Sequence, residues 1–345
     1  MRLVKKGHEV TVYCMGGYYK DRLESYRGIR LRHVPTIRGK NLEMIYYVFL
    51  AALSSIRQEH DIIHFHSIGP STLSWIPRLF GKRIVVTVHA LTGHEEKWGF
   101  LAKKYLAFGE WTASHFPHRT IVVSKALKKY FEGEHKRVVN YIPNGVKKRD
   151  YSALGESGKR FGLDKNGYVL FVGRLTKDKK VDLLIEAFKQ LDTKMKLVIT
   201  GASKDDYRET LESQASCDER IVLTGPIYGE ELARLYTNAY LFILPSAVEG
   251  LPMVVLEAMS HGSAVLVSDI AENLEVIDDE GVSRGATFRS GRVGSLATVL
   301  GDLIGNPRKI DRLRDQGRAL VARKYDWDEI VDATVNVYEH VREAA

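Results

Sequence analysis

The sequence predicts an α/β protein made of two doubly wound domains in tandem, and three observations support this fold class. Short runs rich in Val, Ile and Leu alternate with helical patterns along almost all of the 345 residues. A chain of this length exceeds what one compact core usually holds. The charge is also divided, because residues 1–150 carry 26 Lys and Arg against 12 Asp and Glu, whereas the rest of the chain is mildly acidic.

The first half of the chain contains five predicted strands. In order, they are EVTVYC (9–14), IRLRHV (29–34), DIIHFH (61–66), RIVVTVH (83–89) and RTIVVS (119–124). Such near-continuous apolar runs are typical of parallel strands covered on both faces. Helical patterns lie between them at 42–57, 70–80 and 95–115. RLVKKG (2–7) is typical of a helix that ends at Gly7, so we expect the first strand of this domain, with most of its first helix, to be missing.

The second half repeats the alternation. Its predicted strands are YVLFVG (168–173), MKLVITG (195–201), RIVLTG (220–225), YLFILPS (240–246) and SAVLVSD (263–269). Predicted helices lie at 180–191, 204–215, 229–238, 252–261, 293–305, 307–323 and 327–343. The polar, glycine-rich segment 144–167 is typical of a linker and the start of a new domain. We therefore predict a first domain at 1–145 and a second at 146–325, with a C-terminal helix at 326–345 that packs back toward the first domain.

Composition excludes several classes of protein. The two cysteines, Cys14 and Cys217, are far apart and follow no metal-binding spacing, so a disulfide framework is not expected and a cytoplasmic location is the simplest assumption. No apolar stretch reaches the roughly 18 residues of a membrane span, and no signal peptide is visible. The basic residues are scattered and form no nucleic-acid-binding motif, so nucleic acid is not expected as a partner.

The stretch PSAVEGLPMVVLEAM (245–259) places one carboxylate on a loop and another inside the helix that follows. Glu249 precedes the helix, which Pro252 can open, and Glu257 lies about 7–8 Å along it. The two carboxylates are then about 10 Å apart, with the free N–H groups of the helix start between them. A nucleotide sugar has this layout of hydroxyls, diphosphate and ribose. The alternative is that Glu249 caps the helix and Glu257 is solvated.

A second candidate element is VGRLTKDKK (172–180), which directly follows a predicted strand. It places Gly173, Arg174 and Lys179 at the carboxyl end of that strand. Two cations there could neutralise a diphosphate, and arginine can bind it through two hydrogen bonds. A solvated basic loop is the alternative. Because ligands of doubly wound domains bind outside the carboxyl ends of strands, both elements are predicted to border a central cleft between the domains.

These elements together resemble glycosyltransferase family 4, whose members have the GT-B fold of two Rossmann-like domains. The resemblance rests on the Glu-x7-Glu segment, the GRL…DK loop, IPNG (142–145) and the closing YDW helix, in this order along the chain. DIIHFHSIGP and TVHALTGHEEKWG are similar to members that build surface polysaccharides. The resemblance implies a transferase that moves a sugar from a nucleoside diphosphate to a glycan or lipid-linked acceptor, with retention at the anomeric carbon.

The resemblance also assigns roles to residues of the second domain. Glu249 is expected to contact the donor sugar, and Glu257 the ribose. The backbone N–H groups of Gly250, Leu251 and Met253 are expected to face sugar and phosphate. Arg174 and Lys179, beside Gly173, are expected to stabilise the charge on the departing diphosphate. The sequence departs from the family at DIAEN (269–273), where many relatives carry a Gly-Gly turn that contacts the acceptor or the sugar.

Histidines supply the corresponding assignments in the first domain. His89, at the end of TVH, matches the family histidine near the anomeric centre, and His66 matches one on the acceptor side. His64 is expected to point to the opposite face of its strand and to be packed. No cofactor and no metal are expected, because this fold family works without a metal and the two cations would replace one.

The basic first half of the chain suggests an anionic membrane as a further partner. Many relatives extend lipid-linked glycans at the cytoplasmic membrane face, so contact with anionic lipid at the inner face of the plasma membrane is expected.

Two other functions stay open. Nucleotide-sugar 2-epimerases share the architecture and would convert the sugar without transferring it. A non-catalytic, glycosyltransferase-like binding subunit is the other alternative.

Overall fold

The computed structural model describes residues 1–16, 22–37, 43–91, 99–147, 153–203 and 207–344. It divides into two compact units, which are considered one at a time. Unit 1 comprises Met1–Pro143 with Asp328–Ala345, and unit 2 comprises Asn144–Trp327. Both units combine helices with mainly parallel sheets, which confirms the predicted α/β fold class.

The described strands of unit 1 form two sheets. In chain order they are β1 (Thr11–Met15), β2 (Ser25–Tyr26), β3 (Ile29–Val34), β4 (Ile63–His66), β5 (Ile84–Val88), β6 (Arg119–Val122) and β7 (Asn140–Tyr141). One sheet has the order β1-β3-β2, with β2 antiparallel, and the other has the parallel order β4-β5-β6-β7. All five residues of β5 are buried, as expected for a central strand covered on both faces.

The helices of the first 143 residues lie around these strands. They are α1 (Arg2–Lys5), α2 (Glu43–Ile56), α3 (Ile68–Ser71), α4 (Trp75–Leu79), α5 (Phe100–His115) and α6 (Lys125–Glu134). The single helix predicted at 70–80 is two short helices. Pro77 contributes no N–H and its ring clashes with a preceding carbonyl, while the Thr72 hydroxyl donates to the Gly69 carbonyl at 2.7 Å.

Helix α6 was not predicted, although its start signal is present in the sequence. Ser124 accepts a hydrogen bond from the Leu127 N–H at 3.2 Å and so caps the helix. Leu127 and Phe131, four residues apart, are both buried on the same face. The capping serine and this apolar spacing together could have identified the helix from the sequence.

Unit 2 contains one central parallel sheet. The described strands of this sheet are β8 (Tyr168–Val172), β9 (Lys196–Thr200), β10 (Ile221–Gly225), β11 (Leu241–Leu244), β12 (Ala264–Ser268) and β15 (Ala286–Phe288). A separate antiparallel hairpin, β13–β14 (Asp278–Asp279 and Val282–Ser283), lies between β12 and β15 in the chain. The sheet order is β10-β9-β8-β11-β12-β15. From β8 the sheet continues through β9 to β10 in one direction, and from β11 it continues through β12 to β15 in the other. This is the doubly wound order, with its reversal between β8 and β11.

Helices connect the strands of unit 2. In chain order they are α7 (Glu156–Phe161), α8 (Val181–Lys189), α9 (Tyr207–Ala215), α10 (Gly229–Asn238), α11 (Met253–Ser260), α12 (Ala271–Ile277), α13 (Val293–Ile304) and α14 (Pro307–Lys324). α7 and α12 were not predicted. Every residue of β8, β11 and β12 is buried, so the sheet is covered on both faces.

The last helix, α15 (Trp327–Glu343), lies mostly in unit 1. Two ion pairs join its first turns to the amino terminus of the chain: Arg2 Nε lies 2.6 Å from Asp328 Oδ1, and Lys6 Nζ lies 2.6 Å from Asp332 Oδ1. Deeper along the helix, the Tyr338 hydroxyl lies 2.6 Å from His64 Nδ1 of β4. The chain therefore returns to its first unit at Asp328.

Candidate functional site

The candidate site in unit 2 lies where the strand order of the sheet reverses. β8 and β11 are hydrogen-bonded neighbours, and their connecting chains leave in opposite directions along the sheet. At such a point the loops at the carboxyl ends of the strands separate and leave a crevice. The loop after β8 carries Arg174 and Lys179, and the loop after β11 carries Glu249. The structure thus brings together two elements that are 70 residues apart in sequence.

Lys179 and Glu249 form an ion pair that joins the two loops. Lys179 Nζ lies 2.6 Å from Glu249 Oε1, and the two side chains are only 12% and 11% exposed. A 3₁₀ turn over Lys177–Lys179 presents the lysine, and the Ala247 N–H donates to the Asp178 carbonyl at 2.8 Å. The pair is therefore held by backbone on both sides, which preorganises a cation beside a carboxylate.

Arg174 lies on the same loop and is exposed. Within the described part of the chain its guanidinium contacts no carboxylate, in contrast to the paired ammonium of Lys179. Its backbone neighbour Gly173 closely approaches Gly201, because a Cβ on Gly201 would come within 1.7 Å of the Gly173 carbonyl oxygen. Glycine at 201 is thus required for the loops after β8 and β9 to pass each other.

The turn before α11 presents backbone N–H groups beside the ion pair. Among the described residues, the N–H groups of Gly250 and Leu251 have no acceptor. The Met253 N–H, in contrast, donates to the Leu251 carbonyl at 2.8 Å, so it is engaged within the turn in this structure. Pro252 is the residue before the helix and not its first residue. Glu249 makes no capping hydrogen bond to α11, which argues against the purely structural alternative for this residue.

Glu257 lies on α11 and is half-buried. The hydroxyl of Tyr236, on α10, donates to Glu257 Oε2 at 3.3 Å. Burial and the charge of Glu257 raise the pKa of Tyr236 well above its usual value, so the phenol stays a donor at all ordinary pH values. Glu257 is therefore held in place by a neighbouring helix and is not a freely solvated carboxylate. The sequence did not point to Tyr236, because this residue belongs to no motif and has no recognisable spacing from Glu257.

Two hydroxyl groups near these loops are buried without a partner. Thr176 Oγ1, two residues after Arg174, and Ser246 Oγ, three residues before Glu249, make no hydrogen bond within the described residues. Buried polar atoms are nearly always paired in folded proteins. Both hydroxyls belong to the loops that carry the candidate residues, so this region has hydrogen-bonding capacity that the chain itself does not use.

Glu272 adds a third carboxylate at the same edge of the sheet. It lies in the first turn of α12, directly after β12, which pairs with β11. The Ser268 hydroxyl donates to the Ser246 carbonyl at 2.5 Å and ties the two loop starts together. Burial and the negative charges of Glu249 and Glu275 raise the pKa of Glu272. The DIAEN segment (269–273) therefore places an acidic side chain within electrostatic range of Glu249.

In unit 1, the structure brings His66 and His89 together at the carboxyl ends of β4 and β5. His66 Nδ1 lies 3.2 Å from His89 Nε2, and the rings stack with centroids 5.5 Å apart. Burial and the nearby His89 lower the pKa of His66 to about 4, and burial also lowers the pKa of His89. Both imidazoles are therefore neutral near pH 7, and one of them donates the hydrogen bond that joins them.

The prediction that His64 points to the opposite face of its strand from His66 is wrong. The two rings stack with centroids 4.2 Å apart, because residues two positions apart on a strand lie on the same face. His64 is packed as expected, with Nε2 2.7 Å from the Thr87 hydroxyl and Nδ1 2.6 Å from Tyr338. Burial lowers the pKa of His64 well below its usual value, with a further contribution from His66. Tyr338 could not be found from sequence, since it lies 274 residues away.

In the part of the chain that the structure describes, no three His, Cys, Asp or Glu side chains gather in a group that could hold a metal ion. Over the same residues, none of the helices combines the length and the apolar character needed to span a bilayer.

Two family models match the chain, one in each half. The model for Glycosyltransferase Family 4 matches residues 1–149, and the model for Glycosyl transferases group 1 matches residues 156–320. Among curated relatives, an uncharacterized glycosyltransferase of Methanocaldococcus jannaschii is 26% identical over 367 aligned residues, covering 98% of this chain and 91% of the relative. A GDP-mannose-dependent alpha-(1-6)-phosphatidylinositol monomannoside mannosyltransferase of Mycolicibacterium smegmatis is 27% identical, covering 93% and 87%.

Solved structures with the same fold cover nearly all of the chain. Sucrose-phosphate synthase from Thermosynechococcus elongatus has a TM-score of 0.82 at 19% identity, covering 100% of this chain and 92% of its own. The Anabaena protein HepE in complex with UDP and glucose has a TM-score of 0.77 at 19% identity, covering 92% and 87%. At these identities the similarity establishes a common fold.

Proposed function

Because the chain belongs to glycosyltransferase family 4, we propose that it transfers a sugar from a nucleoside diphosphate to a hydroxyl of a glycan or lipid-linked acceptor. One observation carries the proposal: the Lys179–Glu249 pair, with Arg174 exposed on the same loop, lies where the strand order of the unit 2 sheet reverses. A phosphate-binding cation and a hydroxyl-binding carboxylate are thus held side by side.

The donor contacts follow from the chemistry of the groups in unit 2. Arg174 and the N–H groups of Gly250 and Leu251 bind the diphosphate, since all of them are donors without an acceptor among the described residues. Glu249 accepts hydrogen bonds from the sugar hydroxyls while its ion pair with Lys179 holds the carboxylate in place. Glu257, oriented by Tyr236, accepts hydrogen bonds from the ribose. The roles of Gly173 and of the Met253 N–H stay predictions.

The transfer step places negative charge on the leaving group. The bond between the anomeric carbon and the diphosphate oxygen breaks, and the acceptor oxygen bonds to the same face of that carbon, which retains its configuration. The acceptor proton passes to the departing diphosphate. Arg174 and Lys179 stabilise the charge that develops there, a contribution that typically amounts to about 3 kcal/mol for one well-placed donor. Glu249 is committed to its ion pair with Lys179, which favours a hydrogen-bonding role over a nucleophilic one.

The histidines of unit 1 act on the sugar and the acceptor. His89 donates or accepts a hydrogen bond at the donor sugar and stabilises the positive charge that develops at its anomeric carbon. A neutral imidazole suits this role, because a cationic one would repel that charge. The lowered pKa of His89 supports the assignment. His66, hydrogen-bonded to His89 at 3.2 Å, is assigned to the acceptor side.

The transfer is proposed to need no metal ion. Arg174 and Lys179 supply the positive charge that a divalent cation would otherwise bring to the diphosphate. The expected result is that saturating EDTA leaves turnover unchanged. A loss of turnover that Mg²⁺ or Mn²⁺ restores would contradict this part of the proposal.

The acceptor class is proposed from the charge of the first half of the chain and from the relatives. Residues 1–150 carry 26 Lys and Arg against 12 Asp and Glu, a charge that attracts anionic lipid. One relative is described as a phosphatidylinositol monomannoside mannosyltransferase, which acts on a lipid-linked acceptor. We therefore place the enzyme in polysaccharide or glycolipid assembly, in peripheral contact with the cytoplasmic membrane face.

Donor binding is tested by thermal unfolding with UDP, GDP, ADP and their sugar conjugates. A ligand at 100 times its dissociation constant adds about 2.7 kcal/mol to the free energy of unfolding, so one base is expected to raise Tm clearly. Arg174→Ala is expected to remove the shift, and Arg308→Ala, a matched change at an exposed arginine of α14, is expected to retain it. The absence of any shift would overturn the proposal. Product analysis without acceptor would detect an epimer if the enzyme were an epimerase.

A further inference from the structure

Helix α5 has two apolar faces, of which only one is packed. On the inner face Leu106, Gly109 and Ala113 are buried. The contact with α3 is tight, because a Cβ on Gly109 would lie 2.6 Å from the carbonyl oxygen of Ile68. A surface helix of a globular protein normally has a polar outer face opposite such a packed one.

The outer face of α5 instead exposes large apolar side chains. Phe100 is 71% exposed, Leu101 80%, Phe108 46% and Trp111 44%. At about 100° per residue these four positions fall within roughly 100° of the helix circumference. These four side chains form a stripe, within which Trp111 stacks on Phe108 at 6.1 Å and on His115 at 4.8 Å. Large exposed apolar groups arranged in this way mark an interaction surface.

The charged side chains that α5 itself exposes are both lysines. Lys103 and Lys104 lie on α5, and Lys104 Nζ is 4.5 Å from the centroid of the Phe100 ring. The single acidic residue of the helix, Glu110, is buried and accepts a hydrogen bond from the Tyr130 hydroxyl at 3.0 Å. The surface therefore offers aromatic groups and cations with no exposed carboxylate on the helix. This combination suits the headgroup region of an anionic bilayer.

A second copy of the protein fits the stripe less well. From Phe100 to Trp111 the stripe is about 17 Å long and about 10 Å wide, which gives roughly 170 Å². A specific protein–protein interface buries about 800 Å² on each partner. Two copies in face-to-face contact would also bring the lysines of both helices together, and like charges repel.

We propose that the outer face of α5, defined by Phe100, Leu101, Lys104, Phe108 and Trp111, binds the headgroup region of membranes that contain anionic lipid. The aromatic side chains insert at the level of the headgroups, and the lysines contact lipid phosphates. This inference gives the proposed membrane contact a defined surface, and it does not depend on the transfer chemistry. It accounts for a stripe that neither packing within unit 1 nor the donor site uses.

The test uses the full chain and vesicles of phosphatidylcholine with or without 30% phosphatidylglycerol. Sedimentation is expected to show binding to the anionic vesicles alone. Phe108→Ser with Trp111→Ser is expected to weaken this binding about tenfold or more. Tyr228→Ser, at a residue of unit 2 that is 75% exposed, is the matched control and is expected to leave binding unchanged. Lys103→Gln with Lys104→Gln is expected to reduce binding, whereas Lys165→Gln with Lys194→Gln is not.

Fluorescence identifies the face that meets the lipid. Brominated lipids quench tryptophans that enter the bilayer, and the chain has four tryptophans. The difference between the native chain and Trp111→Phe isolates Trp111, whose emission is expected to be quenched by anionic brominated vesicles. Absence of that quenching, or equal binding to neutral vesicles, would overturn the inference. So would self-association in light scattering that the same serine substitutions abolish.

The nucleotide-induced rise in Tm separates this inference from the proposed function. The α5 variants are expected to keep that rise, because every substituted side chain is exposed and lies outside unit 2. Loss of vesicle binding with a normal nucleotide response supports the α5 surface. Vesicle binding without any nucleotide response would contradict the transferase proposal and leave the α5 surface intact.

Discussion

The two clusters of candidate residues differ most in charge. In unit 2, Lys179 and Glu249 form an ion pair at 2.6 Å, with Arg174 exposed on the same loop. In unit 1, His66 and His89 are joined by a hydrogen bond between neutral rings, and burial lowers the pKa of both. Both clusters lie at the carboxyl ends of parallel strands, so the sheet positions the residues without deciding their electrostatics.

The difference follows from what surrounds each cluster. The unit 2 loops place a cation against a carboxylate, and each charge stabilises the other in a partly buried site. The unit 1 strands place three imidazoles side by side, and within the described residues no carboxylate contacts them. Burial therefore opposes protonation of each ring, and neighbouring imidazoles add to this effect at His64 and His66. One cluster is suited to bind an anion, and the other to remain uncharged near a developing cation.

The largest expected effect is on the charged cluster. Lys179→Met is expected to lower kcat/KM by about 100- to 1000-fold, because it removes a cation from the departing diphosphate. It also leaves Glu249 buried without its partner, which is expected to cost roughly 3 kcal/mol of stability. Lys179→Met with Glu249→Gln is expected to recover Tm but not activity. Steady-state kinetics and thermal unfolding measure both effects, and recovery of activity in the double variant would contradict the assignment.

The neutral cluster is expected to contribute less. His89→Ala is expected to lower kcat by about 10- to 100-fold with little change in KM, since the proposed contact strengthens only in the transition state. His340→Ala, at an exposed histidine of α15, serves as the control and is expected to behave like the native enzyme. A change confined to KM would indicate that His89 contributes only to ground-state binding.

The neutrality of the histidines predicts how stability depends on pH. A histidine with a pKa of about 6.5 when unfolded and about 4 when folded takes up its proton more readily in the unfolded chain between these values. Stability is therefore expected to fall as pH drops from 6.5 to 4. His66→Gln is expected to make the decline in Tm shallower. An unchanged slope would show that His66 is protonated in the folded state.

The smallest expected effect concerns Glu272, which adds negative charge beside Glu249. Glu272→Gln is expected to raise the relative turnover of a donor with a uronic acid sugar about fivefold, because like charges near a surface interact by about 1 kcal/mol or more. Turnover of the uncharged sugar donor is expected to stay within about twofold. Glu280→Gln, at an exposed residue of the β13–β14 hairpin, is the control. An equal response of both donors would place Glu272 away from the sugar.

The sequence located the candidate residues because each one belongs to a short local pattern. Arg174 and Lys179 follow an apolar run, Glu249 precedes a helix start, and His66 and His89 end strands. Strand and helix periodicity needs only a few neighbouring residues, so these positions could be predicted. His64 was predicted on the wrong face because the two-residue periodicity of a strand was misapplied, and not because the sequence lacked the information.

Partners that are distant in sequence could not be predicted. The Lys179–Glu249 pair depends on β8 and β11 being neighbours, and the anchoring of His64 by Tyr338 depends on α15 returning to unit 1. The exposed stripe of α5 could not be predicted for a similar reason. A helix with apolar residues on two faces gives no sign in its sequence of which face is packed.

The sequence by itself determined the alternation of strands and helices, the loops that carry the charged and histidine residues, and the family. Only the tertiary structure decided the strand order, the pairing of Lys179 with Glu249, the neutral state of the histidines and the free face of α5. The physical reason is the distance along the chain over which each kind of interaction acts. Backbone sterics and apolar periodicity act within a few residues, whereas strand pairing, burial and the electrostatics that burial creates arise between segments that only the folded chain brings together.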